Sequence, residues 1–384
     1  MTAAPPGWLA EPVAEPEALI REARRRQRRR WLAAGAAMVV VAAGAVAVIA
    51  GSGAGSGQRP PGSDGAPGPH ALPEAPAHAA TLVTVSQTSL PQGNSLSLAA
   101  GYRAVWVTGI GVTYQVDEAT GRIVRTISTP GTFPDGCRSG IAAGVGAVWV
   151  THGCRGVYRI DPRSGRVTAS LRVPDAGDAI AVAAGLVWVT SYNGDLLRIQ
   201  PRTGQIIGKP IPVGFGDWTL VPAAGALWVT SYGGGVPEGA VSRVDVATGA
   251  VERFGNFDVE AAGAGSLWTP QVQRIDPATG SIIASFALAG AAQVAFWRGS
   301  AWALTLQRSL AILRIDPATN QVTGTPLPVG KPLPAAWNTE PTAIAAGPTG
   351  LWVLDFSRNL LYHLATPGGL QRAQRVERDH LVRA

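Results

Sequence analysis

The sequence predicts an all-β fold: a seven-bladed β-propeller of four-stranded blades, set behind one N-terminal transmembrane helix. Three observations predict it. A Trp-centred motif recurs seven times, a tight-turn motif follows it in turn, and residues 31–50 form a run of twenty uncharged, mostly apolar residues.

Residues 1–30 come first. They hold seven Arg against four Glu, with REARRRQRRR at 21–30. Thirty residues are too few for a domain with its own core, so this segment reads as a basic cytoplasmic tail. The run WLAAGAAMVVVAAGAVAVIA (31–50) would make about 30 Å of helix, the thickness of the hydrocarbon core. The Arg run before it and the absence of charge until Arg59 place the N-terminus in the cytoplasm and the rest outside the cell membrane. The other reading is a cleaved signal peptide, which 30 leading residues and a 20-residue apolar run fit poorly. Residues 51–79 hold seven Gly and six Pro and read as a flexible linker.

The repeats occupy 80–369. Trp106, Trp149, Trp188, Trp228, Trp268, Trp302 and Trp352 each follow a Gly turn, 34 to 50 residues apart. Eight to seventeen residues later comes DEATG (117–121), DPRSG (161–165), QPRTG (200–204), DVATG (245–249), DPATG (276–280) or DPATN (316–320). Between the markers lie short segments rich in Val, Ile and Thr, as in AVWVT (147–151), VYRI (157–160) and RVTASLRV (166–173). Four such segments per 40-residue unit describe a propeller blade. The seven Trp read as core between blades. TLVTVSQTSLP (81–91) matches a fourth strand that no trio precedes, so residues 81–86 are expected to complete the last blade and close the ring. Residues 370–384 read as a charged tail.

Units such as LVWVTSYNGDLLRIQPRTGQIIGKPIPVG (186–214) resemble the repeats of virginiamycin B lyase-like propellers and the related YVTN and NHL propellers. The resemblance covers about 80–369. The Ala, Gly, Pro and Arg bias is similar to that of actinobacterial sequences. Such repeats serve enzymes, binding scaffolds and sensors alike, so the resemblance speaks to fold more than to function.

The net charge is +7, but it sits mostly in the two tails, and nucleic acid is excluded as a partner on that ground. Two Cys exclude a four-cysteine metal site. Cys137 and Cys154 are equidistant from the hairpin of the second blade; they make a disulfide across its strands or remain two free thiols. No G-x-S-x-G, H-E-x-x-H or phosphate-loop motif occurs.

The expected site is the rim of the central channel. Aligning the blades on the Gly after the first strand puts Asn94, Cys137, Asp178, Trp218, Asn256, Ala292 and Glu340 on the rim. The loop after the second strand adds His152, Tyr192 and Tyr232. Aromatics with a few carboxylates suit a small molecule, a cell-wall glycan or a protein. A carboxylate–amide ring of Asp178, Asn256 and Glu340 could hold Ca²⁺ or Mg²⁺, as the resemblance to propeller lactonases implies. The bland alternative is that these side chains satisfy loop backbones and bind water. The virginiamycin lyases use histidines with a divalent metal on this face; of the two propeller histidines only His152 is expected there, since His363 ends a third strand. The reading is therefore a membrane-tethered extracytoplasmic binding or sensing module with no catalytic residue. A metal-dependent lyase or lactonase-type enzyme is the alternative.

Overall fold

The computed structural model describes residues 82–91, 95–130, 139–152, 155–173, 175–214, 219–231, 240–288, 291–306, 309–331 and 342–367. The described residues form seven antiparallel sheets of four strands each, the architecture of a seven-bladed propeller. Residues 1–30, 31–50, 51–79 and 370–384 lie outside the described residues, and among those described no helix is long and apolar enough to cross a membrane.

Blade 1 is typical. Its strands are Ser95–Gly101, Ala104–Gly109, Val112–Asp117 and Ile123–Ser128, paired in that order. The second strand is buried along its whole length because it is sandwiched within the sheet and between neighbouring blades. The outer strand alternates towards solvent. Six blades have four consecutive strands. The seventh takes Thr342–Ala346, Leu351–Asp355 and Leu360–Ala365 from the end of the repeats and Val83–Ser89 from their beginning. Val83 to Ser89 pair antiparallel with Ala365 to Leu360, with one register shift between Thr84 and Ser86. This strand staples the ring shut and leaves neither the first nor the last blade short of a partner.

The hairpin between first and second strands sets the register. In blades 2 to 6 it has two left-handed residues, the second a Gly: Val145–Gly146, Ala184–Gly185, Ala224–Gly225, Ala264–Gly265 and Arg298–Gly299. Two positive φ angles define the hairpin turn that matches strand twist, and Gly adopts one without penalty.

Three residues after that Gly stands the blade Trp. All seven are buried, Trp302 most exposed at 6%. Five tie their indole N–H back to the end of the first strand: Trp106 to the Gly101 carbonyl and Trp149 to that of Gly144 at 3.1 Å are examples. The Trp packs between blades, as with Trp352 of blade 7 among Val105, Val107 and Tyr114 of blade 1.

The Asp that opens the turn between third and outer strands has a backbone task. Asp161 Oδ1 accepts from the Ser164 amide and hydroxyl at 2.7 Å each, and Asp245 does the same with Thr248. The Ser164 amide is the main cause holding the Asp161 carboxyl below its ordinary range, and the Thr248 amide does so for Asp245.

Candidate functional site

In an antiparallel blade the loop between second and third strands and the entry to the first strand share one end. The two remaining turns share the other. The first end is the expected rim. On it the structure joins Asp178, at the start of the inner strand of blade 3, to Tyr192, just after the second strand. The Tyr192 hydroxyl donates to Asp178 Oδ1 at 2.6 Å. Beside them Asn193 Nδ2 donates to Asp175 Oδ2 at 2.8 Å, and the Tyr192 amide to the Asp175 carbonyl at 2.7 Å.

His152 ends the second strand of blade 2. It is 8% exposed and stacks on Tyr158 with ring centroids 4.1 Å apart. Neither ring nitrogen has a hydrogen-bond partner among the described residues. Burial, with Arg155 nearby as the lesser cause, lowers its pKa, so it is neutral at physiological pH. Asn94, Trp218, Tyr232, Glu340 and both cysteines, Cys137 and Cys154, lie outside the described residues. Among the described residues no three His, Cys, Asp or Glu side chains gather as a metal site would need.

Strand pairing corrects the alignment used for the rim. The residue paired with the blade Trp is Ala181 in blade 3 and Ala261 in blade 5. Asp178 stands three before Ala181, and its equivalent in blade 5 is Asp258, not Asn256. Asn256 ends the outermost strand of blade 4, paired with Ala240. The reason is local. The Gly nearest the hairpin is the last strand residue in some blades (Gly101, Gly144, Gly263) and the second turn residue in others (Gly185, Gly225, Gly299), two positions further on.

The corrected register brings out Glu260. The residue preceding the Trp partner is Leu98, Ile141, Ile180, Leu220, Val294 or Ile344 in six blades and Glu260 in blade 5. Burial first, and then the like charge of Asp258, push the Glu260 carboxyl up to about 7. An acidic residue in an otherwise apolar ring was legible in the sequence once the register was known.

The turn-bearing face carries a cavity that the rim-centred reading missed. It measures about 520 Å³ and lies at the seam between blades 7 and 1, lined by Tyr102, Arg103, Gln115, Glu118, Arg125 and Thr349 among others. A second crevice, between blades 4 and 5, measures about 260 Å³. Glu118 is 3% exposed, and its Oε1 has no partner among the described residues. A Cβ at Gly347 would lie 2.0 Å from that oxygen, so any other residue at 347 would displace the carboxyl from this position. Burial is the main cause, and Asp117 the second, that push Glu118 up to about 7 against the pull of Arg103.

The chain is similar in fold to the Neurospora crassa Pan2 WD40 domain, with a TM-score of 0.54 at 15% sequence identity over 74% of this chain and 95% of that one. At that identity the likeness speaks for the propeller fold alone. No protein-family model and no curated protein matches the sequence.

Proposed function

We propose that the chain is a membrane-tethered binding module. Residues 31–50 hold it in the cell membrane, the propeller stands on the extracytoplasmic side, and its channel rim takes a protein partner without catalysis. A β-propeller is a fold typical of protein-binding modules. The repeats are assigned, on units such as 186–214, to the virginiamycin B lyase-like, YVTN and NHL group, in an actinobacterial setting.

The observation that carries the reading is the Asp178–Tyr192 pair. Its 2.6 Å hydrogen bond fixes an aromatic ring and a carboxylate on adjacent strand ends of a closed ring. Aromatic anchors held before binding lose little entropy on association.

The test is a photoreactive residue placed at Asn193, exposed on the rim, against one at Arg202, exposed on the opposite face. Irradiated cells should give one discrete adduct from position 193 and none from 202. Equal labelling, or none, would refute rim binding. A rise in melting temperature with Ca²⁺ or Mg²⁺, lost in Asp178→Asn, would favour the lyase- or lactonase-type alternative.

A further inference from the structure

The repeats state what each position ordinarily holds, so departures can be read without any other sequence. Across the strand pair from the blade Trp stands Arg159, Arg198, Arg243, Arg274 or Arg314; blade 1 has Gln115 and blade 7 has His363. The second residue of the outer turn is Pro162, Pro201, Val246, Pro277 or Pro317; blade 1 has Glu118. The first hairpin ends in Gly in blades 2 to 6; blade 1 has Tyr102 and Arg103, both left-handed at φ 57° and 59°. Blade 7 replaces the two-residue hairpin by the four residues 347–350. These departures all fall in blades 1 and 7, and Tyr102, Arg103, Gln115, Glu118 and Thr349 line the cavity, Gln115 also donating through Nε2 to the Pro162 carbonyl of blade 2 at 3.1 Å. His363 sits directly behind, with Nε2 3.2 Å from Thr349 Oγ1.

We propose that this seam cavity is a binding site for a small, uncharged polyhydroxyl ligand of the size of one or two sugar units. Its volume of about 520 Å³ lies within the usual range of ligand pockets, roughly 300–1,000 Å³. Arg103 and Arg125 line it with Asp117 and with a Glu118 carboxyl that burial keeps partly protonated near neutral pH, so the site carries no large net charge of either sign, which disfavours a strongly charged ion. Asp117 is committed to its turn through Thr120, and Arg125 Nη1 donates to Gln115 Oε1 at 2.7 Å. The Glu118 side chain lines the cavity too; its Oε1, packed against Gly347, has no donor among the described residues. Hydroxyl groups both donate and accept, so adjacent ligand hydroxyls can serve a carboxyl and a guanidinium together. Tyr102, Val124 and Pro348 supply the apolar wall on which a sugar's C–H face would lie.

Saturation-transfer NMR on the full chain, with glucose, N-acetylglucosamine and trehalose as probes, tests this. At least one sugar should bind, and Glu118→Gln and Arg125→Ala should each weaken it tenfold or more. Glu118→Pro installs the turn residue of blades 2, 3, 5 and 6 at the loss of one long hydrogen bond, from the Glu118 amide to the Arg103 carbonyl at 3.3 Å; melting checks that the fold survives, and the variant should lose the sugar. Glu252→Gln, in the crevice between blades 4 and 5, should leave binding unchanged. The proposal is overturned if none of the three sugars binds, if binding survives Glu118→Gln and Glu118→Pro, or if glycine or inorganic phosphate binds there instead.

Discussion

His363 allows the seam to be tested by pH alone. Its ring is buried and stacks on Trp352, with centroids 4.0 Å apart and planes 7° from parallel. Nδ1 has no partner among the described residues, and Nε2 meets only the Thr349 hydroxyl. Burial lowers its pKa from 6.5 to about 4. The unfolded chain therefore takes up this proton near pH 6.5 and the folded chain only near pH 4. Stability from this group is present above pH 6.5 and is lost as pH falls towards 4. Each tenfold weakening of proton binding is worth about 1.36 kcal/mol, so the full loss is about 3 kcal/mol and roughly 2–3 kcal/mol has gone by pH 4.5. The perturbation is His363→Gln, since Gln115 holds the equivalent place in blade 1. Losing the stack costs the variant stability at pH 7.5, but its stability should fall less on acidification. Urea unfolding of residues 80–384 at pH 7.5, 6, 5 and 4.5 gives both curves. Carboxylates that titrate in the same range, Glu118 included, cancel in the difference. Parallel curves would refute the argument and mean that His363 finds a partner for its proton inside the fold.

Deleting Val83–Ser89 should strip blade 7 of its outer strand and cost several kcal/mol; an unchanged melting temperature would show that the ring does not depend on this strand. Gly263→Ala puts a Cβ 2.2 Å from the Phe296 ring and should cost about 1–3 kcal/mol, recovered in part by Phe296→Leu. A reporter fused after residue 384 should be active only outside the membrane on a full-mass chain; mature protein starting near residue 51 would refute the anchor. Alkylation without reduction should leave Cys137 and Cys154 unlabelled if they form the expected disulfide, and label both if they are free.

The blade count, the strand order and the closing strand were legible because the repeat writes them seven times. A Trp every 40 or so residues and an Asp-led turn after it leave one arrangement that buries every Trp between neighbours. The rim was less legible. Left-handed hairpin positions accept Ala224 or Arg298 as well as Gly, so a Gly does not mark a fixed place, and an alignment made on Gly slips by two residues. Two residues along a strand keep the same face, which is why Asn256 passed for Asp258. Pairing to the Trp removes the ambiguity, but pairing is a property of the fold. The seam was hidden for another reason. Its residues come from both ends of the repeat region, with Glu118 and Gly347 far apart in sequence until the ring closes.

The closing strand also accounts for why specialisation collects at this seam. The outer turn of each blade rests on the outer strand of the blade before: Gly165 on Arg125, Gly204 on Leu171, Gly280 on Phe254. For blade 1 that support is the closing strand, where the Thr88 hydroxyl donates to the Gly121 carbonyl and Ser86 lies beneath Gly121. Every other interface joins consecutive units and repeats one solution. This one joins the first blade to the last, whose outer strand comes from the start of the repeat region. Its residues carry no requirement to match the remaining six, and the chain uses that freedom: Glu118, His363 and the longer hairpin at 347–350 all lie there. A ligand bound beside Glu118 would touch both blades and so would stabilise closure, because anything that binds only the closed ring shifts its opening equilibrium. The melting temperature should therefore rise with sugar in the intact chain and stay fixed in Glu118→Pro.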